Sequence, residues 1–479
     1  MQENLKSAKM GSMPIAKLLI TMSVPAMLSM LVQALYNVVD SIFIGQYDPS
    51  AALTAINIAM PFQMLPIALA LGIGVGTNAI VSKCLGEGKG ERASLCAQTG
   101  LLMAGATYIL VIFMGFFLSG VYAQAFSEGN QDVAELTTQY LQIVVCCSGF
   151  MFLEVVLNKI LQATGNMIVP MFSQLIGAIT NIILDPFFIN GYWFFPELGI
   201  RGAAVATVIG QAFAMLFVLL VFIFKKQDVS VNFKSFKLKL RNVKRILIVG
   251  FPTAVLNGLT SVTTILMYAI LVNNTAKTVL GLYFKVQSFV FMPVFGLNQG
   301  AMPIMGYNFG RGDKKRFLHT YWLSIVIAAC IMILGMILLL TASDFLLGLF
   351  NVTQGEALKM GQTAFKIICF SFLPAAFGII TITMLQSTQN GILAMLVSIC
   401  RQLVFLVPMA FIIKLIAGDV FLNYVWWCYP IAEILAVSLS LPFGRWRARK
   451  SFADLLRERQ KQQLQLSAEN TTATLQEVQ

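Results

Sequence analysis

Long apolar runs separated by short polar segments recur along almost the whole chain of 479 residues. A run of about 20 apolar residues is long enough to cross a hydrocarbon core of about 30 Å as an α-helix. The pattern therefore predicts an all-α polytopic membrane protein with twelve transmembrane helices. We number these predicted helices as spans 1 to 12; they lie near residues 15–45, 52–82, 94–122, 134–163, 168–191, 202–224, 245–272, 278–308, 318–342, 360–386, 391–416 and 420–444.

Short glycine and polar motifs in the first half of the chain return 224 residues later in the second half. Gly72 and Gly76, at the end of span 2, correspond to Gly296 and Gly300, at the end of span 8. Six spans separate each motif from its copy, which is an even number, so both halves have the same orientation in the bilayer. Parallel repeats of this kind enclose a site near the membrane midplane. Further matching pairs are residues 86–92 with 310–316, residues 161–166 with 385–390 and, with a three-residue slip, Pro25 with Pro252.

The repeat divides the chain into two lobes, a linker and a tail. We predict an N-terminal six-helix lobe at 1–224, a cytoplasmic linker at 225–244, a C-terminal six-helix lobe at 245–445 and a polar cytoplasmic tail at 446–479. The tail has too few apolar residues to fold by itself. The duplicated small-xxx-small pairs predict that spans 2 and 8 approach neighbouring helices closely.

Composition and charge placement support a membrane location. The chain is 58% hydrophobic and 11% charged, whereas soluble domains are about 25% charged. Its net charge of +12 does not indicate nucleic-acid binding, because most basic residues fall in alternate loops, as expected for cytoplasmic segments. We therefore predict a multi-pass protein of the bacterial inner (plasma) membrane, with both termini cytoplasmic and with the lipid bilayer and small molecules as partners.

Motifs for enzymatic chemistry or metal binding are scarce. The chain has one histidine, and its eight cysteines form no CxxC pair, so we expect neither a Cys/His metal site nor a protein-bound cofactor. The sequence contains no HExxH or GxSxG motif. The prediction is that this protein is not an enzyme.

Ionisable side chains inside the spans require an explanation, since each costs roughly 2.5–3.5 kcal/mol or more at the centre of a transmembrane helix. They are Asp40, Glu154, Lys159, Asp185, Lys285, Lys366, Arg401 and Glu433.

Two of the acids have polar neighbours on the same helix face. Tyr36 precedes Asp40 by four residues, and Asn181 precedes Asp185 by four. If these faces meet inside the N-terminal lobe, the site can bind Na⁺ through oxygen ligands or hold a proton. Pro186 lacks a backbone donor and can bend span 5 beside the carboxylate. The alternative is that both acids lie near the outer ends of their helices and face water.

The C-terminal lobe carries cations instead. Lys285 and Arg401 are candidates to receive an anionic substrate group in the cavity. Alternatively, they extend towards the membrane surface or pair with Glu433. The sequence leaves both interpretations open.

Several segments together resemble the multidrug and toxic compound extrusion (MATE) family; they are residues 37–45, 161–166, 180–186 and 202–207, with the paired Pro25 and Pro252. The resemblance covers spans 1 to 12. It implies a V-shaped pair of six-helix bundles that exchanges external Na⁺ or H⁺ for organic, often cationic drugs. We expect the protein to be a monomer. The family's N-lobe coupling site matches Tyr36, Asp40, Asn181, Asp185 and Thr207.

One branch of that family couples through acids in spans 7 and 10, and this chain has none there. Coupling through the C-terminal lobe is therefore not expected. The main alternative function is a lipid-linked oligosaccharide flippase of a related transporter class, for which we would expect further spans and more cationic cavity residues.

Overall fold

The computed structural model describes residues 6–47, 51–127, 130–192, 196–231, 238–271, 273–348 and 354–477. Within these ranges it describes all side chains except those of residues 6, 36–47, 51–53, 57, 274, 419, 461–463 and 465–477. The described residues are almost entirely helical and include no β-strand. The fold is therefore that of an all-α polytopic membrane protein, as predicted.

Each predicted span corresponds to a helix or to a broken pair of helices. Eleven helices are long and apolar enough to cross a membrane, and one bent pair brings the number to twelve within the described ranges. The unbroken helices of the first half are Ile15–Tyr47, Ala51–Gly86, Gly90–Phe126, Ile168–Asn190 and Ile200–Phe224. Those of the second half are Leu240–Ile270, Asn274–Arg311, Lys314–Thr341 and Cys428–Glu477.

Three spans have an interruption near their middle, and span 12 begins with the short segments Phe421–Tyr424 and Val425–Trp427 before its long helix. Span 4 consists of Gln131–Cys146 and Gly149–Ala163, which are bent by 44°. Span 10 consists of Gly355–Ile368 and Phe372–Ser387, joined by a short 3₁₀ turn. Span 11 begins as Gly391–Ile399, passes through π-helical turns at Cys400–Leu406 and ends as Val407–Ala417. Pro408 explains the π-helical turns, because proline cannot donate to the preceding turn of an α-helix.

The basic hairpins after spans 2 and 8 turn at glycine. Gly88 has φ +75° and Gly312 has φ +84°, a left-handed conformation that glycine adopts without steric cost. In the first hairpin, Glu87 pairs with Lys89 at 3.1 Å and lies 3.9 Å from Arg92. The repeated Gly-x-Gly motif thus has the same structural role in both halves.

The duplicated glycines lie where helices from the two halves cross. A Cβ atom on Gly72 would lie 2.7 Å from the carbonyl oxygen of Gly250 in span 7, and one on Gly296 would lie 2.5 Å from the backbone of Met27 in span 1. Gly76 likewise meets the backbone of Ile246, and Gly300 meets Ser23. These contacts confirm the close approach predicted for spans 2 and 8.

The same relationship continues to the ends of these two helices. Gly86 approaches the carbonyl of Tyr307, and Gly310 approaches the carbonyl of Lys83. Each contact is the repeat-related copy of the other, because 224 residues separate Gly86 from Gly310 and Lys83 from Tyr307. These glycine contacts between the halves therefore follow the internal repeat of the sequence.

Buried apolar residues form two large clusters. One draws on spans 2 to 6 and includes Phe152 and Ile160. The other draws mainly on spans 8 to 12 and includes Tyr283 and Trp426. The beginning of span 1, at Leu18 and Leu19, packs into this second cluster, because span 1 lies along span 8.

The beginning of the tail packs against the C-terminal half. Its backbone continues the last helix as far as Glu477. Phe452 and Leu455 are buried, and the Phe452 ring packs edge-on against Phe309 with centroids 5.1 Å apart. Arg459 donates a hydrogen bond of 2.9 Å to the carbonyl of Arg311. These contacts use the surface of span 8, so they do not test the prediction that the tail cannot fold by itself.

Candidate functional site

Three of the five residues predicted for the cation site come together in the N-terminal half. Asp185 in span 5 is fully buried. The amide Nδ2 of Asn181 donates to Asp185 Oδ1 at 3.2 Å and to Thr207 Oγ1, in span 6, at 3.3 Å. Thr207 in turn donates to the carbonyl of Ala203 at 3.0 Å. The alternative that Asp185 faces water is wrong.

Small residues allow spans 5 and 6 to lie close enough for this network. A Cβ on Gly210 would lie 2.7 Å from the carbonyl oxygen of Gly177, and one on Gly202 would overlap the backbone of Phe188. The segment that connects the two helices also bonds to the end of span 5, since the N–H of Leu198 donates to the carbonyl of Phe188 at 3.0 Å. The helix Ile168–Asn190 continues through Pro186, so the proline removes a donor without ending the helix.

The donor set suits a hard cation or a proton. Asn181 Oδ1 is buried and has no hydrogen-bond partner among the described residues. The Nδ2 of the same side-chain amide contacts the carboxylate of Asp185 and the hydroxyl of Thr207. Carboxylate, amide and hydroxyl oxygens are ligands for hard cations. Within the described part of the chain, no cluster of three or more His, Cys, Asp or Glu side chains forms a metal site.

The other two predicted ligands, Tyr36 and Asp40, lie in the helix Ile15–Tyr47. Their side chains fall outside the described residues. The helix that carries them packs against span 5 and touches span 6. Their participation in the site stays a prediction.

A second acid of the N-terminal half has its own partners. Glu154 Oε1, in span 4, accepts hydrogen bonds from Ser173 Oγ at 2.9 Å and from Asn158 Nδ2 at 3.1 Å. Ser173 lies twelve residues before Asp185 on span 5, which corresponds to about 18 Å along the helix. Glu154 is therefore separate from the Asp185 network.

Lys159 connects the two halves of the molecule. Its ammonium is buried and donates to Gln162 Oε1 and to Gln299 Oε1 in span 8, both at 3.0 Å. We did not foresee these partners from the sequence. The available signal was that Gln162 follows Lys159 by three residues and so shares its helix face.

The two cations proposed for the substrate cavity have different environments. Arg401 Nη1 lies 3.5 Å from Glu433 Oε1, so the pairing alternative describes this residue. Lys285 is exposed on span 8. The structure thus gives these cations no common environment.

Comparison with known proteins assigns the family. The MatE family model matches residues 25–187 and 246–412, which cover equivalent parts of both halves. The chain belongs to the MatE family. This assignment confirms the resemblance carried by the sequence motifs, and it makes the molecule a multi-pass membrane protein of the transporter type.

Several relatives of this MatE protein cover nearly its full length. The multidrug export protein MepA of Staphylococcus aureus (strain MRSA252) is 27% identical over 426 residues, which are 88% of this chain and 92% of MepA. MepA of Staphylococcus saprophyticus is 26% identical over 421 residues, 86% of this chain and 90% of that protein.

Solved structures share the fold of this MatE protein. A MOP superfamily transporter from Pyrococcus furiosus has a TM-score of 0.87 at 22% identity, over 93% of this chain and 98% of that one. A multidrug resistance MATE family transporter in an outward-facing conformation has a TM-score of 0.86 at 23% identity, with the same coverage.

Proposed function

We propose that this MatE protein is a secondary active multidrug efflux antiporter of the plasma membrane, which exchanges Na⁺ or H⁺ for organic, often cationic drugs. The observation that carries the proposal is the buried network of Asp185, Asn181 and Thr207 in a chain of this family. The similarity to MepA, a multidrug export protein, supports the drug class.

The network supplies what a coupling site needs. A buried carboxylate without a bound cation or proton is costly in low dielectric, and binding either one removes that cost. Asn181 holds the carboxylate of Asp185 and the hydroxyl of Thr207 in one place. Asp40 and Tyr36, on the neighbouring span 1, would supply a second carboxylate and a phenol. Occupation of the site would then change which packing of spans 1, 5 and 6 is favoured, and this is the basis of coupling.

The contacts between the halves suggest how transport is gated. Lys83 Nζ donates to Gln389 Oε1 at 3.2 Å across the two halves, and Lys159 donates to Gln299 at 3.0 Å. Both contacts lie towards the side of the membrane on which the basic hairpins lie. We assign this side to the cytoplasm. The described conformation is then closed on the cytoplasmic side, and export requires these contacts to break when the halves rock.

A lipid-linked oligosaccharide flippase is the rival function. Twelve spans and a buried N-lobe acid network weigh against it, whereas further spans and a cationic cavity would have favoured it. A membrane enzyme has less support still, since the relatives named above are transporters.

Transport assays with separate ion gradients test the proposal. Purified protein in liposomes should accumulate a cationic dye when a Na⁺ or a H⁺ gradient is imposed alone, and the effective gradient identifies the coupling ion. Asp185→Asn should abolish the gradient dependence while the protein still inserts. If the wild-type protein transports no dye under either gradient but moves a lipid-linked sugar, the flippase function replaces this proposal.

A further inference from the structure

Glu154 and Arg401 are charged residues, one in each lobe, that have no charged counterpart at the repeat-related position. With the offset of 224 residues, Glu154 in span 4 corresponds to Gly378 in span 10, and Gly177 in span 5 corresponds to Arg401 in span 11. Each lobe thus has a glycine at the position where the other lobe has a charged residue. Glu433 in span 12 lies two residues from the counterpart of Thr207 in span 6. The Arg401–Glu433 pair therefore lies between spans 11 and 12 at about one helical turn from the position equivalent to the Asn181–Thr207 contact between spans 5 and 6.

The local backbone is unusual at this place. Arg401 lies in the π-helical turns Cys400–Leu406, and such turns are frequent at functional sites. Opposite it, a Cβ on Gly378 would have Arg401 Nη1, at 3.8 Å, as its one described neighbour within 4 Å. The glycine therefore leaves room beside the guanidinium.

The charged pair is incompletely bonded. Arg401 Nη1 and Glu433 Oε1 are 3.5 Å apart, whereas charge-assisted hydrogen bonds are typically about 2.7–2.9 Å long. Arg401 Nε and Nη1 and Glu433 Oε2 are buried and have no hydrogen-bond partner among the described residues. Two further buried atoms without a hydrogen-bond partner among the described residues lie on span 12, at most seven residues before Glu433. They are Trp426 Nε1 and Tyr429 Oη.

These atoms define the chemistry of a ligand. The Nε–H of the guanidinium, which has no partner among the described residues, can donate to a carboxylate oxygen, while the free oxygen of Glu433 accepts from an N–H group. A molecule with both groups is neutral overall, so it can enter between the two charges without leaving an unbalanced charge in the lobe. About a fifth of each side chain is exposed, 19% for Arg401 and 17% for Glu433, although the atoms without a partner are themselves buried.

We propose that Arg401 and Glu433 form a binding site in the C-terminal half for organic molecules that carry a carboxylate and a protonated amine. The carboxylate binds Arg401, and the amine donates to Glu433. As a substrate site this rests on the proposed efflux function, whereas binding itself does not. The site is distinct from the Asp185 network, which lies in the N-terminal half.

Two fluorescent probes that differ by one group test the proposal. Nε-dansyl-lysine carries the carboxylate and the amine, and dansylcadaverine lacks the carboxylate. Binding is measured with the full-length protein in lipid nanodiscs. Because removing one partner alone leaves a buried charge and can prevent folding, the main variant is Arg401→Met/Glu433→Leu, and Arg401→Lys is the second. Lys414→Met, in the same span, is the matched control.

The double variant is expected to lower the affinity for dansyl-lysine by about tenfold or more. The affinity for dansylcadaverine should be unchanged, because a lone cation would leave Arg401 without a counter-charge and therefore does not bind at this pair. Arg401→Lys should show a smaller loss, since lysine keeps the charge without the planar fork. Lys414→Met should bind both probes as the wild type does. The site is refuted if the wild type does not bind dansyl-lysine, if the folded double variant keeps its affinity, or if both probes are weakened equally.

Transport separates this inference from the efflux proposal. If liposomes containing the wild type export neither probe while dansyl-lysine binding still depends on Arg401, the site stands and the efflux function fails. If dansylcadaverine is exported and dansyl-lysine is not bound, efflux stands and the site fails.

Discussion

The side-chain amide of Asn181 lies 3.3 Å from the hydroxyl oxygen of Thr207, although 26 residues separate them in the chain. Because the same amide contacts Asp185, the candidate cation site depends on the packing of span 5 against span 6. Substitutions within the network should therefore be graded by what each group contributes.

The carboxylates should be essential for coupling. Asp185→Asn keeps the shape of the side chain and removes its charge, so we expect the gradient dependence of efflux to disappear, and Asp40→Asn should behave alike. Ion-gradient-driven transport in liposomes measures this, with the exposed Asp344→Asn as control. Normal gradient-driven efflux by a well-expressed Asp40→Asn/Asp185→Asn variant would rule out the N-lobe coupling site and direct attention to Glu154 and Glu433.

Thr207→Ala should have a milder effect. The hydroxyl supplies one neutral hydrogen bond or ligand, which contributes about 0.5–1.5 kcal/mol. The expected change is a rise of roughly two- to tenfold in the cation concentration at half-maximal transport, with the maximal rate preserved. A loss as complete as that of Asp185→Asn would contradict this ranking.

The glycines between the two halves should tolerate no side chain. In a helix, Gly→Ala normally stabilises by about 0.5–1 kcal/mol. At Gly72, however, the added Cβ would lie 2.7 Å from the Gly250 oxygen, and such overpacking costs about 1–3 kcal/mol. Gly72→Ala should therefore lower the melting temperature.

Gly105 is the matched control for this substitution, because a Cβ there meets no described atom within 4 Å. Gly105→Ala should leave the melting temperature unchanged or raise it. Equal effects at the two positions would show that spans 2 and 7 do not pack as described.

The tail should have two parts with different importance. Phe452 is 4% exposed and packs on the end of span 8, so Phe452→Ala should destabilise the protein by about 3–5 kcal/mol. Removal of residues 462–479 should leave transport intact. Thermal unfolding and efflux assays on both variants check this, and a truncated protein that inserts normally but does not transport would show that the end of the tail is needed.

Orientation can be measured by labelling. In a background without the native cysteines, single cysteines within residues 225–245 should react only with a reagent on the cytoplasmic side. Those at Asp132 and Glu197 should react only from outside, because the placement of lysine and arginine puts both termini in the cytoplasm. The opposite labelling would place the contacts of Lys83 and Lys159 on the outer side of the membrane, so that the described conformation would be closed to the outside.

The sequence by itself determined the helices and the repeat. Apolar length is a local property, so the spans could be predicted to within a few residues, and the spacing of Asn181 and Asp185 already placed both on one helix face. The duplicated glycines also predicted close packing of spans 2 and 8, because a residue without a side chain allows close approach whichever helix it meets.

The tertiary structure alone decided which faces meet. It gave Arg401 the partner Glu433 and left Lys285 exposed, joined Lys159 to Gln299 across the two halves, and docked Phe452 against span 8. Each of these contacts joins residues far apart in the chain. Such contacts depend on how every helix is rotated and tilted against its neighbours, and this is set by the packing of all side chains at once rather than by any local periodicity.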